Sequence, residues 1–262
     1  MTNDIYGPFP GGPDFAAALT EGQRARYEQL GANLDVVERR IADACAAAGR
    51  PRAEVTLIVV TKTYPAEDTA LLAGLGVTDV AENRDQDAAP KAERCVELPL
   101  TWHFVGQLQT NKARSVVRYS DVVHSVDRAR LVDSLAAAVR AAERPPLGCL
   151  VQVALDKEAG EGEHRAGVAP AEVLALAEKI ADTPGLRLDG VMTVAPLAGP
   201  LAGDPARAFA RLAEIASDVR AAHPAATMVS AGMSGDLEQA IAAGATHVRV
   251  GTAVLGVRSP LG

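Results

Sequence analysis

Aromatic side chains make up only 3% of the 262 residues, and there is a single tryptophan. Alanine, valine and leucine must therefore fill any core. The three cysteines, Cys45, Cys95 and Cys149, are odd in number and far apart. That argues against a disulfide framework or a CxxC metal motif and fits a reducing cytoplasm. No apolar run is long enough to span a bilayer. Met1-Thr2-Asn3-Asp4 lacks the basic start and apolar core of a secretory leader. With a net charge of -7 and no long basic run, general nucleic-acid or membrane-surface binding is not expected, and Arg39-Arg40 reads as a solvated helix face. The five histidines have no HExxH or related spacing, so no metal site is expected. A GxSxG nucleophile elbow is missing too.

What is present alternates. After the Pro/Gly-rich stretch Gly7 to Pro13, residues 1–19 read as a flexible tail and 20–262 as one domain. Thr20 and Gln23 have capping-box spacing. Leu30, Leu34, Val37, Ile41 and Cys45 then recur at helical spacing until Gly49-Arg50-Pro51 stops the helix. Strands are expected at 55–62, 77–83, 101–106, 121–126, 147–155, 186–194, 227–231 and 246–254. Helices are expected between them, centred on 69–75, 87–96, 111–119, 128–142, 171–181, 205–222 and 236–243. Asp204-Pro205 is an N-cap with proline at the first helical position, and Gly244 closes the last of these helices. Strands that alternate with helices imply a parallel sheet, and eight is the number that closes into a barrel. The length suits it, since such barrels run to about 250 residues. An open doubly wound sheet is the rival, but Thr61-Lys62-Thr63-Tyr64-Pro65 stands where its dinucleotide-binding version needs glycines.

In such barrels the working face lies at the C-terminal ends of the strands. Lys62 ends the apolar run Val55–Thr61, on the same strand face as Thr56, Ile58 and Val60. A lysine carried into a pocket by such a run is expected to be desolvated, and a neutral amine can attack an aldehyde; the competing reading is a solvated strand-end lysine. Arg249 replaces an apolar residue in Thr246–Thr252 and shares a face with His247 and Gly251, leaving Val248 and Val250 for the outer helices. Once buried it needs either a ligand acceptor or an internal carboxylate. In Ser230-Ala231-Gly232-Met233-Ser234-Gly235-Asp236, glycines and hydroxyls lead into a short helix, a chemistry suited to phosphate; Ser234 also reads as an ordinary N-cap. Barrels often bind phosphate after their seventh and eighth strands, where this segment and Gly251-Thr252 lie. His103 and His124 read as hydrogen-bonded core residues. Glu158 to Glu163 reads as a solvated acidic loop.

The segments Val59–Thr63, Glu82-Asn83-Arg84, Trp102–Lys112, Gly190-Val191-Met192, Ser230–Asp236 and Val248–Thr252 together resemble the pyridoxal phosphate homeostasis (YggS/PROSC-like) family. They run in that family's order from about residue 55 onward. The resemblance implies one (β/α)8 TIM-type barrel with an extra N-terminal helix, similar to the alanine racemase N-terminal domain (PLP fold type III-like). It implies pyridoxal 5'-phosphate (PLP) as cofactor, with Lys62 matching the lysine of the internal aldimine. Ser234, the backbone of Gly232 and Met233, and Gly251-Thr252 match the phosphate cradle. Arg249 matches the arginine facing the pyridine nitrogen, and Asn83 a polar neighbour of the cofactor; Ser230 and Met192 are assigned to the pocket wall. Ala81, Asp85-Gln86-Asp87, Gln107 and the 160–167 loop depart from the family pattern.

The function implied is intracellular PLP buffering and delivery to PLP-dependent enzymes, by a cytoplasmic monomer without robust catalysis. The alternative is a PLP-dependent amino-acid racemase. A racemase of the alanine type needs an acid/base on the face opposite Lys62, and Tyr6, Tyr27, Tyr64 and Tyr119 supply no obvious one. A third class, a sugar-phosphate aldolase or isomerase, would need a proton-transfer carboxylate, and Glu82 is the tempting residue.

Overall fold

A computed structural model describes residues 15–156 and 166–256. Eight parallel strands pair in sequence order and close into a barrel. They are β1 (Thr56–Val60), β2 (Asp79–Glu82), β3 (Thr101–Phe104), β4 (Val122–Val126), β5 (Leu147–Gln152), β6 (Leu186–Met192), β7 (Met228–Ser230) and β8 (His247–Val250). Each expected strand is present, shortened mainly at its C-terminal end.

The helices are α1 (Phe15–Ala18), α2 (Glu21–Ala47), α3 (Ala66–Gly74), α4 (Asp85–Arg94), α5 (Ala113–Val116), α6 (Ala129–Ala141), α7 (Val173–Ala181), α8 (Pro205–Ala222), α9 (Leu237–Ala242) and α10 (Thr252–Leu255). None among the described residues is long and apolar enough to cross a membrane.

Local chemistry explains the boundaries. The Thr20–Gln23 capping box forms, with the Gln23 side chain accepting from the Thr20 N–H at 2.9 Å. The Asp204 carboxylate accepts the Arg207 N–H at 3.0 Å and starts α8. Two expectations change. Residues 252–254 do not extend β8; they begin α10, because Val254 and Leu255 bury themselves among Leu30, Val37 and Ile41 of α2. The expected tail also has an ordered end: Phe15 is buried in that same cluster, and residues 1–14 lie outside those described.

The apolar core lies between sheet and helices. Val59 of β1 and Val248 and Val250 of β8 pack outward against α2, α9 and α10, as alternation requires. Their neighbours Ile58 and Arg249, paired across β1 and β8, face the barrel interior.

α2 also ties down the end of the domain. Asn33 Nδ2 donates to the Val254 carbonyl at 2.9 Å and Arg26 Nη2 to that of Leu255 at 3.0 Å. Arg50 Nη1 caps the carbonyls of Ile241 and Ala245 at 2.8 and 2.9 Å. Val254 and Leu255 end α10, where carbonyls lack partners within the helix.

Candidate functional site

The end of β1 positions Lys62. Pairing stops at Val60, and Thr61 is held on several sides. Its N–H donates to the Ala81 carbonyl at 2.9 Å, its hydroxyl to Glu82 Oε1 at 2.7 Å, and its carbonyl accepts from Lys91 Nζ at 2.8 Å. Thr63 follows with φ +70, a left-handed conformation unusual for a β-branched residue. Lys62 sits between this clamp and this turn, and its side chain is exposed. The expected burial is not met, because the chain leaves the sheet before reaching the lysine.

Glu82 alternates to the helix side of the sheet, where it is fully buried in an ion pair with Lys91 of α4. It does not face the interior, which removes the proton-transfer carboxylate of the sugar-phosphate reading.

On the adjoining strand, Arg249 is 4% exposed. Nη1 donates to Ser230 Oγ at 2.5 Å and Nη2 to the Thr193 carbonyl at 2.8 Å. No carboxylate among the described residues touches it, so of the two partners expected the internal ion pair is absent among them. Burial pulls its guanidinium down to about 10, against the pull of the Asp236 charge, so it stays cationic at neutral pH. Ser230, expected as a ligand donor, is fully buried behind the arginine.

The segment after β7 lies over α9. Gly232 has φ +88, and a Cβ there would stand 2.7 Å from that of Ala240. The Gly232 carbonyl accepts the Arg249 N–H at 2.9 Å, which locks this loop to β8. Asp236, rather than Ser234, occupies the N-cap of α9, and its carboxylate accepts the Met233 N–H at 2.6 Å. Met233 is 39% exposed and Ser234 half-buried; Arg40 of α2 holds the Ser234 carbonyl at 3.0 Å.

Gly251 lies against the end of β1, since a Cβ on it would stand 3.1 Å from the Val60 carbonyl oxygen. Thr252, exposed, opens α10. Asn83, half-buried after β2, is in backbone contact with Gly106, where a Cβ would come within 1.9 Å of the Asn83 oxygen. Met192 is buried with Val122 and Leu150. The structure therefore brings Lys62, Gly251, Arg249, Ser230 and Gly232 together through adjoining strands. Asn83 and Met192 stand on strand ends around the same barrel.

Sequence reasoning missed what supports Arg249. His124 Nδ1 is 3.0 Å from Ser230 Oγ, and His124 Nε2 is 2.8 Å from His103 Nδ1. His103 Nε2 is 3.0 Å from Asp79 Oδ1. Both histidines are hydrogen-bonded core residues, as expected. The signal available was their shared inward alternation on β3 and β4.

His124 and His247 are expected to make the fold acid-sensitive. Burial first, then His103, Arg249 and His247, holds His124 well below the usual imidazole range. Burial chiefly, with His103 and Arg249 outweighing Asp79, pulls His247 down to about 4. Between the ordinary value and the folded one, the unfolded chain binds more protons, so stability rises with pH there. Stability is expected to be full above about pH 6.5 and to fall towards pH 4, by up to about 3 kcal/mol from His247 alone. Urea midpoints at closely spaced pH values read this directly; a flat profile between those limits would contradict buried neutral imidazoles.

Comparison with known proteins fits this geometry. The model of the alanine racemase N-terminal domain matches residues 32–259. The pyridoxal phosphate homeostasis protein of Pseudomonas aeruginosa is 41% identical over 226 residues, covering 86% of this chain and 94% of that protein. Its Escherichia coli counterpart is 36% identical over 236 residues, covering 86% and 95%. PipY of Synechococcus elongatus, solved with PLP bound, superposes with a TM-score of 0.70 at 33% identity, covering 82% of this chain and all of PipY. Alanine racemase of Corynebacterium glutamicum shares the fold at 14% identity and a TM-score of 0.63, with 90% of this chain matching 62% of that enzyme. The chain belongs to the pyridoxal phosphate homeostasis protein family, built on the alanine racemase N-terminal barrel.

Proposed function

We propose that the barrel mouth binds PLP, with the cofactor's aldehyde held covalently by Lys62, and that the protein buffers and delivers PLP rather than catalysing a reaction. The carrying observation is that two adjoining strands carry an exposed amine, Lys62 just past the end of β1, and a buried cation, Arg249 of β8. PLP would supply an aldehyde, a phosphate and a pyridine ring. Lys62 supplies the amine for the first. The Gly232–Ser234 loop and Gly251-Thr252 supply hydroxyls and close backbone approach for the second. Arg249 keeps N–H groups beyond the two bonded to Ser230 and Thr193 and offers a fixed cation to the ring nitrogen. Asn83 and Met192 would complete the wall.

A cation there discourages protonation of the ring and weakens it as an electron sink, which favours holding the cofactor over reacting it. The racemase alternative lacks its opposing base among the described residues. The hydroxyls of Tyr27 and Tyr64 donate to the carbonyls of Gly74 and Gly256, at 3.2 and 2.7 Å. Tyr119 packs edge-on against Trp102 on the helix side, and burial first, then Asp85 and Glu82, raises its hydroxyl far above the usual range. Tyr6 lies outside the described residues, as do positions 158–163 and most of the 160–167 loop. Delivery to PLP-dependent enzymes, a monomeric state and a cytoplasmic location complete the proposal.

Borohydride reduction of PLP-loaded protein, followed by peptide mapping, tests it. The expected product is a phosphopyridoxyl amine confined to Lys62 and absent from Lys62→Ala. A folded, PLP-exposed sample with no adduct at Lys62 would remove the proposal. Deuterium exchange at the Cα of amino acids, lost in Lys62→Ala, would favour the racemase instead.

A further inference from the structure

Arg249 is a buried cation with no carboxylate in contact among the described residues, yet its first partner begins a line of side chains that ends on one. The line runs Arg249, Ser230, His124, His103, Asp79, at separations of 2.5, 3.0, 2.8 and 3.0 Å. Ser230 and His124 are fully buried, and His103 is 2% exposed. Water therefore has little part in setting their protons.

With both rings neutral, the two ends determine the direction of every bond between them. A guanidinium only donates and a carboxylate only accepts. Arg249 donates to Ser230 Oγ, so the serine proton goes to His124 Nδ1. His124 then carries its proton on Nε2 and donates to His103 Nδ1, and His103 donates from Nε2 to Asp79. Every link is satisfied with both rings neutral. The reverse order aims a second N–H at Ser230 Oγ and leaves the serine proton with no acceptor in the chain. Burial works to raise the Asp79 carboxyl, but hydrogen bonds from His103 and Thr78 outweigh it and hold it below its usual range. The charged groups facing the rings are Asp79 from β2 and Arg249 from β8, with His247 of β8 the other titratable neighbour.

We propose that Asp79, His103, His124 and Ser230 are positioning residues for Arg249, forming a one-way hydrogen-bond chain. The chain fixes the serine oxygen as an acceptor and links the guanidinium, which also feels the Asp236 charge, to a second carboxylate at Asp79. A bound ring thus meets a cation whose orientation is set from the far side of the barrel, and Ser230 serves that cation rather than the ligand. The cofactor half of this inference rests on the PLP reading; the chain itself does not.

Two measurements test it. Nitrogen NMR of histidine-labelled protein without added PLP is expected to show His124 as a neutral ring protonated on Nε2, unchanged from pH 7.5 to 5.5. Protonation of His124 in that range, or a proton on its Nδ1, overturns the chain. In PLP-loaded protein, Ser230→Ala and His124→Phe are each expected to speed cofactor release about tenfold, the scale of one hydrogen bond to a charged group. The double variant should be no faster than the worse single one, because both cut the same line. Unchanged release, or losses that multiply, overturns the positioning role, as a purely structural defect would not saturate. Should His124→Phe fail to fold, Ser230→Ala and the wild-type spectra decide. A wild-type protein that retains no PLP would sink the PLP reading and the positioning role with it, and the spectra would then decide the chain alone.

Discussion

Lys91→Met is expected to lower the unfolding free energy by about 3–5 kcal/mol, the cost of leaving one member of a buried ion pair alone. Lys91 is 6% exposed and Glu82 is fully buried. Glu82 Oε2 already has no hydrogen-bond partner, so losing the ammonium leaves the carboxylate only the Thr61 hydroxyl. The double variant Glu82→Leu/Lys91→Met should recover most of the loss, since paired apolar side chains replace a buried ion pair at little cost. A residue of about 1 kcal/mol should remain for the Thr61 hydroxyl. Trp102, the only tryptophan, reports urea unfolding of all three proteins. A single variant within about 1 kcal/mol of wild type would mean that water reaches Glu82. Because Lys91 also holds the Thr61 carbonyl, PLP loading at the next residue should weaken in the single variant.

Gly190→Ala should be at least as damaging. Gly190 has φ +151, and a Cβ on it would stand 1.9 Å from the Met228 carbonyl oxygen and 2.9 Å from its nitrogen. Those are backbone atoms of the paired strand, so no side chain can rotate away. The change adds overpacking to backbone strain, about 4 kcal/mol or more together. That approaches the whole stability of a domain, roughly 5–15 kcal/mol. Gly76→Ala separates the two contributions, because its φ is +88 but nothing lies within 4 Å of a Cβ there. It should cost only about 1–2 kcal/mol. Equal urea midpoints for the two variants would show that the sheet absorbs the clash. The Gly-Val-Met segment thus has a mechanical reason: Gly190 lets β6 and β7 touch two residues before Met192.

The barrel was legible in the sequence because strand and helix periods alternate cleanly and several helices carry their own start or stop. Lys62, Arg249 and the two glycine-containing loops were legible because each breaks an apolar pattern at a strand end. The environment of each residue was harder to read. One step of alternation sends Glu82 to the helices instead of the mouth, and nothing within β2 names Lys91 as its partner. Lys62 was expected to be buried because the apolar run reaches it, whereas sheet pairing ends at Val60. Ser230 looked like a ligand donor because serine beside glycine suits phosphate. Its hydroxyl is instead engaged by Arg249 and His124, residues brought to it only when the barrel closes. The helical turn of α10 was hidden for a similar reason, since Val254 and Leu255 find their burial on α2, more than half the chain away in sequence.

That last contact bears on how the chain acquires its fold on the ribosome. β1 pairs with β8, and Asn33 and Arg26 wait for the carbonyls of Val254 and Leu255. Both are contacts of extreme sequence separation, whose loop entropy must be met before any gain returns. Until residues 247–255 have left the exit tunnel, α2 has an uncovered apolar face and β1 an open edge. Closure therefore waits for residues 247–255 to emerge, and until then α2 is a segment of the nascent chain that a chaperone would shield.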